Sequence, residues 1–183
     1  SKLGHRDSYE LKIPVFIQKV GAKPVRKVNI NRAVVNFFDR ESETWYFKGL
    51  NAISDNYGIG ALAYFRRIVE KELLHIIEEI KKLPDAHTLE IQQLLDEHDK
   101  QQNVSTIYDN IFQHLPNSLK SLGDNPIKLL YNQTSEGLHS MTEEKAMEKS
   151  KIILQLLEFV IIKINEERSN IKDLKEAIKG LKI

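Results

Sequence analysis

The chain has 183 residues, enough to bury a continuous hydrophobic core as one domain without disulfides or metals. It contains no cysteine, which excludes disulfide frameworks, thiolate zinc sites and cysteine nucleophiles and fits a reducing cytosol, so we expect a cytoplasmic protein. Twenty-seven basic and 26 acidic residues leave a net charge of +1, and no global attraction to nucleic acid or anionic membrane is expected.

No apolar run approaches the length of about 18 residues that a membrane-spanning helix needs. The apolar run in the last helix, Phe159–Ile162, ends at Lys163, and we expect no membrane association. The chain begins with Ser1 and shows no positively charged start followed by an apolar segment. A secretory signal is therefore not expected.

Two segments of different character divide the chain. Residues 1–29 contain two prolines and two glycines around one short apolar run, Ile13–Ile17, in which Pro14 disfavours a central strand. We predict an irregular N-terminal arm for residues 1–29. Residues 30–183 are predicted to form a single helical-bundle domain.

Two long segments have apolar residues spaced by threes and fours, as in amphipathic helices. The first covers about residues 59–83 and ends at a proline. The second covers about residues 142–168, with Thr142 as a suitable N-cap and two glutamates in the first turn, where they oppose the positive end of the helix dipole. We therefore predict an all-α fold: a helical bundle built on two long antiparallel helices, with shorter helices between them.

Turn and cap residues divide the rest of the chain. A break is expected near Asp39–Ser42, Asp85 is a candidate cap for the helix after the first long one, and Pro126 fits the first turn of another. The polar segment Glu166–Asn170 follows the wide apolar face of the last helix, and Ser169–Asn170 is a candidate break in that helix. Beyond it the apolar face narrows to a two-position seam among lysines, formed by Ile171, Leu174, Ile178 and Leu181. Such a seam suits docking on a neighbour or partner chain, and we expect a homodimer.

The strongest functional signal is a polar segment between two apolar helical patterns, residues 131–144. Within it Gln133, Ser135 and His139 have the order Gln-x-Ser-x-x-x-His. This order resembles the signature of the HEPN superfamily (higher eukaryotes and prokaryotes nucleotide-binding), small helical bundles whose motif reads Arg-x-polar-x-x-x-His.

The chain is also similar to uncharacterised bacterial domains linked to defence systems. The similarity lies in Gly58–Glu70 (GIGALAYFRRIVE) and Ser135–Glu144 (SEGLHSMTEE), and the resemblance covers roughly residues 45–165.

In active members, the resemblance implies metal-independent RNA cleavage at a site shared by two subunits. It assigns His139 as acid or base, because a neutral imidazole can accept the proton of a ribose 2′-hydroxyl, and Ser135 as its polar partner. The position expected to be Arg is Gln133, which donates hydrogen bonds but has no charge to stabilise phosphate. The resemblance thus leaves the activity open. No cofactor and no metal are expected.

Arg66, Arg67 and Asn132 are candidate binding residues, because the arginines could supply the missing cation from the first long helix. The alternative for the arginines is a solvated, ion-paired face beside Glu70, and this alternative is favoured. The alternative for His139 is a structural hydrogen bond at a helix junction.

Other candidate chemistry has structural alternatives that we favour. Glu136, Glu143 and Glu144 are candidate metal ligands, but Glu143 and Glu144 stand in the first turn of the last helix, and opposing its dipole is the favoured interpretation. The aromatic residues on the apolar stripes are expected in the core instead of stacking on bases. Four histidines lack mutual metal-ligand spacing and are treated as incidental: His75, His87, His98 and His114.

Two principal hypotheses follow. The first is a non-enzymatic helical interaction domain, dimeric and fused to or working beside an effector domain, as in bacterial defence. The alternative is a HEPN-type ribonuclease that uses His139. A third hypothesis is binding of a nucleotide or RNA without turnover.

Overall fold

A computed structural model describes residues 30–101, 104–135 and 141–181. Within these ranges the chain is helical and has no β-strand, which confirms the all-α prediction. The predicted arm, residues 1–29, lies outside the described residues. The α-helices, with one 3₁₀ helix at Ile111–His114, are α1 (Arg32–Val35), α2 (Arg40–Ser54), α3 (Gly58–Lys81), α4 (Thr88–Gln101), α5 (Val104–Asn110), α6 (Asn117–Lys120), α7 (Pro126–Ser135) and α8 (Glu143–Leu181).

The predicted break near Asp39–Ser42 is the boundary between α1 and α2. Asp39 is the N-cap of α2, and its Oδ1 accepts hydrogen bonds from the backbone N of Glu41 at 3.1 Å and of Ser42 at 2.8 Å. These bonds satisfy two amides that the first turn leaves without helical partners, so the sequence starts a new helix here.

The core lies where α3 packs between α2 and α8. Buried residues of α3 follow its predicted stripe: Leu62, Phe65, Val69, Leu73, Ile76 and Ile80. The matching face of α8 is buried as far as Ile164: Ile153, Leu157, Val160, Ile161 and Ile164. Burying each large apolar side chain contributes about 1.5–3 kcal/mol, which makes this layer the main stabilising feature.

The two long helices run parallel, so the antiparallel prediction is wrong. Near the start of both, the backbone N of Ile59 donates to Glu143 Oε2 at 3.1 Å. Near the other end of α3, Glu79 forms an ion pair with Arg168 of α8. The physical reason is the intervening segment: α4 to α7 return the chain from the end of α3 to its beginning, where α8 starts.

A glycine permits the close approach of α3 and α8 at their first turns. A Cβ atom on Gly58 would lie 2.3 Å from the carbonyl O of Glu143 and 2.5 Å from the backbone N of Met147. Both neighbours are backbone atoms, which cannot rotate away as a side chain can. Residue 58 therefore has to lack a side chain if the helices are to keep this distance.

Side chains of the loops tie the short helices together. Asn125 Oδ1 accepts hydrogen bonds from the backbone N of Ile127 and Lys128, and α7 begins at Pro126 as predicted. Asp85 does not cap α4, which begins at Thr88. Instead Asp85 Oδ2 accepts a hydrogen bond from the backbone N of Asn117 at 3.0 Å and joins the α3–α4 loop to α6.

The last helix continues without interruption from Glu143 to Leu181, so the candidate break at Ser169–Asn170 is wrong. We call residues 169–181 the tail of α8. Its apolar residues Leu174, Ile178 and Leu181 are 62%, 44% and 85% exposed. Within the described ranges, no helix combines the length and apolar character that crossing a membrane requires.

Candidate functional site

The predicted catalytic motif spans the connection between α7 and α8. Gln133 lies in α7 and Ser135 is the last residue of that helix. His139 belongs to the segment 136–140, outside the described residues, and the side chain of Ser135 is likewise outside them. The assignment of His139 and Ser135 to catalysis therefore stays a prediction.

Gln133 is half-buried and lines a cavity of about 400 Å³ between α7 and α8. Most of the other lining residues are apolar, among them Ile152 and Phe159, and none is a cation. Asn132, the neighbouring candidate, is exposed on α7. In this cavity Gln133 has no positively charged neighbour that would replace the arginine of the resembled motif.

The two segments that carry the resemblance adjoin each other at the first turns of α3 and α8. Glu143 accepts the hydrogen bond from Ile59 across the helix boundary, so its carboxylate satisfies one of the amides at the start of α3. It also lies in the first turn of its own helix. This geometry supports the helix-capping interpretation of Glu143 over the metal-ligand one.

The two candidate arginines have local partners. Arg66 Nε forms an ion pair with Glu70 Oε1 at 2.7 Å, one helical turn away. The guanidinium of Arg67 lies over the ring of Trp45, 5.8 Å from its centroid. Neither arginine lines the cavity that contains Gln133. The favoured interpretation, a paired and solvated face, agrees with these contacts.

A polar pocket between α1, α3 and α8 was missed by the sequence analysis. It has a volume of about 200 Å³ and is lined by Ala33, Asn36, Phe37, His75, Glu79, Asn165 and Arg168. The imidazole of His75 stacks on Phe37 with ring centroids 4.9 Å apart. We call this the His75 pocket.

A chain of hydrogen bonds fixes the imidazole in this pocket. Ser42 Oγ donates to Glu72 Oε1 at 2.5 Å, and His75 Nδ1 lies 2.9 Å from Glu72 Oε2. Ser42 and Glu72 are both buried, so each satisfies a polar group that water does not reach. The other ring nitrogen, Nε2, lies 3.6 Å from Glu79. The i, i+3 and i, i+4 spacing of Glu72, His75 and Glu79 was the sequence signal available for this arrangement.

The pocket also contains the guanidinium of Arg168, which pairs with Glu79. Burial lowers the pKa of Arg168 below its ordinary value. An imidazole and a guanidinium in one pocket are the groups that acid–base chemistry at phosphate uses. Here Glu72 and Glu79 lie beside the two ring nitrogens of His75, Glu79 also pairs with Arg168, and Asn165 Nδ2 donates to the carbonyl O of Ala33 at 3.2 Å. The pocket therefore holds α1, α3 and α8 together at the point where α8 leaves the bundle.

Two histidines that the sequence analysis treated as incidental lie together. His87 and His114 are 27 positions apart, yet their Nδ1 atoms are 3.4 Å from each other. The lack of metal-ligand spacing in the sequence therefore does not keep this pair apart in the fold. Sequence spacing could not reveal the contact, because the α3–α4 loop and the 3₁₀ helix meet only in the fold.

Comparisons with protein-family models, with curated proteins and with solved structures found no significant match.

Proposed function

We propose that the chain is a helical interaction domain that forms a homodimer through the tail of α8. The observation that most supports this is the exposure of Leu174, Ile178 and Leu181 on one helix face, with Ile171 half-buried beside them. Their spacing of three and four is that of a coiled-coil seam. Burying this face against a partner removes large apolar side chains from water.

The residue types favour a second copy of the chain as the partner. Ile171 and Ile178 occupy a positions, and Leu174 and Leu181 occupy d positions. In parallel coiled coils, β-branched residues at a with leucine at d favour two strands. The charges agree, because a parallel pair places Lys175 of one chain near Asn170 of the other, whereas a full antiparallel overlap brings the two Lys175 side chains together.

Helix continuity lowers the cost of the association. A free peptide of this length would have to nucleate a helix, which is unfavourable. The tail is instead an extension of a helix whose first half is packed in the bundle. Pairing therefore adds side-chain burial to a helix that already exists.

The resemblance to defence-linked bacterial domains extends the proposal to a biological role. We propose that the dimer brings together two effector domains that are fused to the chain or bound beside it.

Light scattering after size-exclusion chromatography, over a series of protein concentrations, tests the dimer. The wild type is expected to be a dimer at high concentration, and Leu174→Glu a monomer, since a charge in the seam opposes burial. Lys172→Glu, on the outer face of the same tail, is the matched control and is expected to remain dimeric. A wild type that is monomeric at every concentration contradicts the proposal.

Cysteine cross-linking tests the orientation, because the natural chain has no cysteine. In a parallel, in-register pair, Leu174→Cys faces its own copy and is expected to form an intermolecular disulfide under mild oxidation. Lys172→Cys is expected to remain reduced. If Leu174→Cys cross-links only when mixed with Ile178→Cys, the pair is antiparallel and the proposed orientation is wrong.

A second candidate function is a HEPN-type ribonuclease that uses His139. One observation favours it: the two segments that carry the resemblance touch through Ile59 and Glu143. RNA cleavage in the presence of EDTA is expected for the wild type and lost in His139→Ala, while His98→Ala, on α4, is the matched control. Equal cleavage by wild type and His139→Ala, or none by either, contradicts this function.

A further inference from the structure

The fold brings together three side chains whose chemistry suits a transition metal. His87 lies directly before α4, Glu90 lies in the first turn of that helix, and His114 ends the 3₁₀ helix. One ligand atom from each residue lies within 4.8 Å of the other two. His87 and Glu90 are exposed and His114 is partly exposed, so an ion could reach them from solvent.

The backbone around these residues is held in place independently of any ion. His87 N donates to the carbonyl O of His114 at 3.1 Å, which joins the two histidines directly. The bond between Asp85 and Asn117 joins the same two segments a few residues away. Residues next to the three side chains in sequence are buried: Ile91 beside Glu90, Leu115 beside His114, and Ile111 at the start of the 3₁₀ helix. The ligand positions are therefore preorganised, which reduces the cost of assembling a site.

The distance between the imidazoles matches a shared ion better than a direct hydrogen bond. At 3.4 Å, the two Nδ1 atoms are farther apart than the usual hydrogen-bond separation of about 2.9–3.0 Å. Two Zn–N bonds of about 2.0–2.1 Å that end on atoms at this separation enclose an angle of roughly 110°, which is close to tetrahedral.

We propose that His87, Glu90 and His114 bind one Zn²⁺ ion, with water in the fourth position. Two imidazoles and one carboxylate form a donor set that zinc uses in three-ligand sites, whereas Mg²⁺ and Ca²⁺ prefer oxygen ligands throughout. The carboxylate of Glu90 offsets part of the ion's charge. The bound ion joins the start of α4 to the end of the 3₁₀ helix and so cross-links two segments of the region between α3 and α8.

Isothermal titration with zinc sulfate tests the site. The wild type is expected to bind one ion per chain, and His114→Gln and Glu90→Gln are expected to weaken binding by at least about tenfold, because loss of a direct ligand costs no less than loss of an outer-shell partner. His98→Gln, on the same helix α4, is the matched control and is expected to bind like the wild type. Circular dichroism of each variant checks that the exposed substitutions leave the fold intact.

Co²⁺ reports the geometry separately from the affinity. Bound at this site, Co²⁺ is expected to give the intense visible absorption of a four-coordinate ion, lost in His114→Gln and retained in His98→Gln. Absence of zinc binding to the wild type overturns the proposal. So does binding that His114→Gln leaves unchanged, since another histidine would then be the ligand.

Discussion

The two halves of α8 have the same apolar spacing and opposite environments. Between Glu143 and Ile164 the seam residues are buried, as Leu157 illustrates with no exposed surface. In the tail the same spacing continues through Leu174, which is mostly exposed. A heptad pattern therefore identifies the apolar face of a helix but does not identify the surface that packs against it.

The boundary between the halves is polar. Asn165 donates to α1, and Arg168 pairs with Glu79 in the His75 pocket. Beyond this point, Lys172 and Glu176, 4.0 Å apart, join turns of the same helix. The bundle has such pairs as well, but there Lys71 also joins α3 to Asp39 before α2. Interactions within one helix do not hold the tail to the bundle.

The largest expected difference in the free energy of unfolding is between a leucine-to-alanine substitution in the buried half of α8 and the same substitution in the tail. Leu157→Ala leaves a cavity in a packed core and is expected to lower the free energy of unfolding by about 2–5 kcal/mol. Leu174→Ala is expected to change it by no more than about 0.5 kcal/mol, because the side chain is exposed in the monomer. Urea denaturation of dilute protein measures both. Equal losses would mean that the tail is part of the bundle core.

A pair of glycine substitutions should have effects of opposite sign. Gly58→Ala forces a methyl group against the backbone of α8 and is expected to destabilise the protein by about 1–3 kcal/mol. Gly180→Ala, in the tail with no atom near its Cβ position, is expected to stabilise the helix by up to about 1 kcal/mol. Thermal unfolding of both variants measures the signs. A neutral Gly58→Ala would show that the two helices can separate there without cost.

The buried half of α8 also depends on a hydrogen bond to α2. The hydroxyl of Tyr46, a fully buried residue, donates to Glu158. Tyr46→Phe removes this bond and is expected to cost about 1.5–3 kcal/mol at neutral pH, since the acceptor is a carboxylate. Combining it with Glu158→Ala, which has no side-chain acceptor, in a double-mutant cycle measures the coupling, and additive losses would contradict a direct interaction.

The same tyrosine predicts a pH dependence. Burial, and then the bond to Glu158, raise the pKa of Tyr46 above its ordinary value. Because the raised pKa belongs to the folded state, its contribution to stability is complete below about pH 10, the unfolded pKa, and is lost as the pH rises beyond it. We therefore expect the free energy of unfolding to fall less above about pH 10 in Tyr46→Phe than in the wild type.

The smallest expected effects come from exposed ion pairs. The hydrogen bond from Lys71 and then that from the backbone of Ser42 lower the pKa of Asp39 to about 2. Its contribution is therefore present above about pH 4 and lost as the pH falls towards 2. The melting temperature of Asp39→Asn is expected to be slightly below that of the wild type at pH 7 and to converge with it near pH 2. The melting temperature of Glu176→Gln, in the tail, is expected to differ from that of the wild type by less than the melting temperature of Asp39→Asn does at pH 7.

Local sequence signals predicted the elements well. Thr142 and Pro126 act as the predicted cap and first-turn residue, and the predicted break near Asp39–Ser42 is a helix boundary; Lys145 N, for example, donates to Thr142 Oγ1 at 3.3 Å. The predicted cap Asp85 is the exception, since α4 begins at Thr88. These predictions succeed because a cap bonds to its own next few residues. The apolar stripes of α3 and of the first half of α8 were likewise readable, since burial follows helical periodicity.

Relations between distant segments could not be predicted in the same way. The parallel direction of α3 and α8 depends on how α4 to α7 return the chain, and helix periodicity has no information on that path. The contacts of His87 with His114 and of Ser42 with Glu72 are likewise products of tertiary packing. For the proposed catalytic residues, the segment 136–140 lies outside the described structure, so sequence remains the basis for His139.

The uninterrupted length of α8 separates the two candidate functions in space. As a rigid rod with a rise of about 1.5 Å per residue, it puts roughly 40 Å between its start at Glu143 and the first seam residue of the tail, Ile171. In a dimer formed through the tails, each α7–α8 junction lies far from the dimer interface. A composite nuclease centre needs the two α7–α8 junctions to meet, which contact between the tails does not by itself bring about.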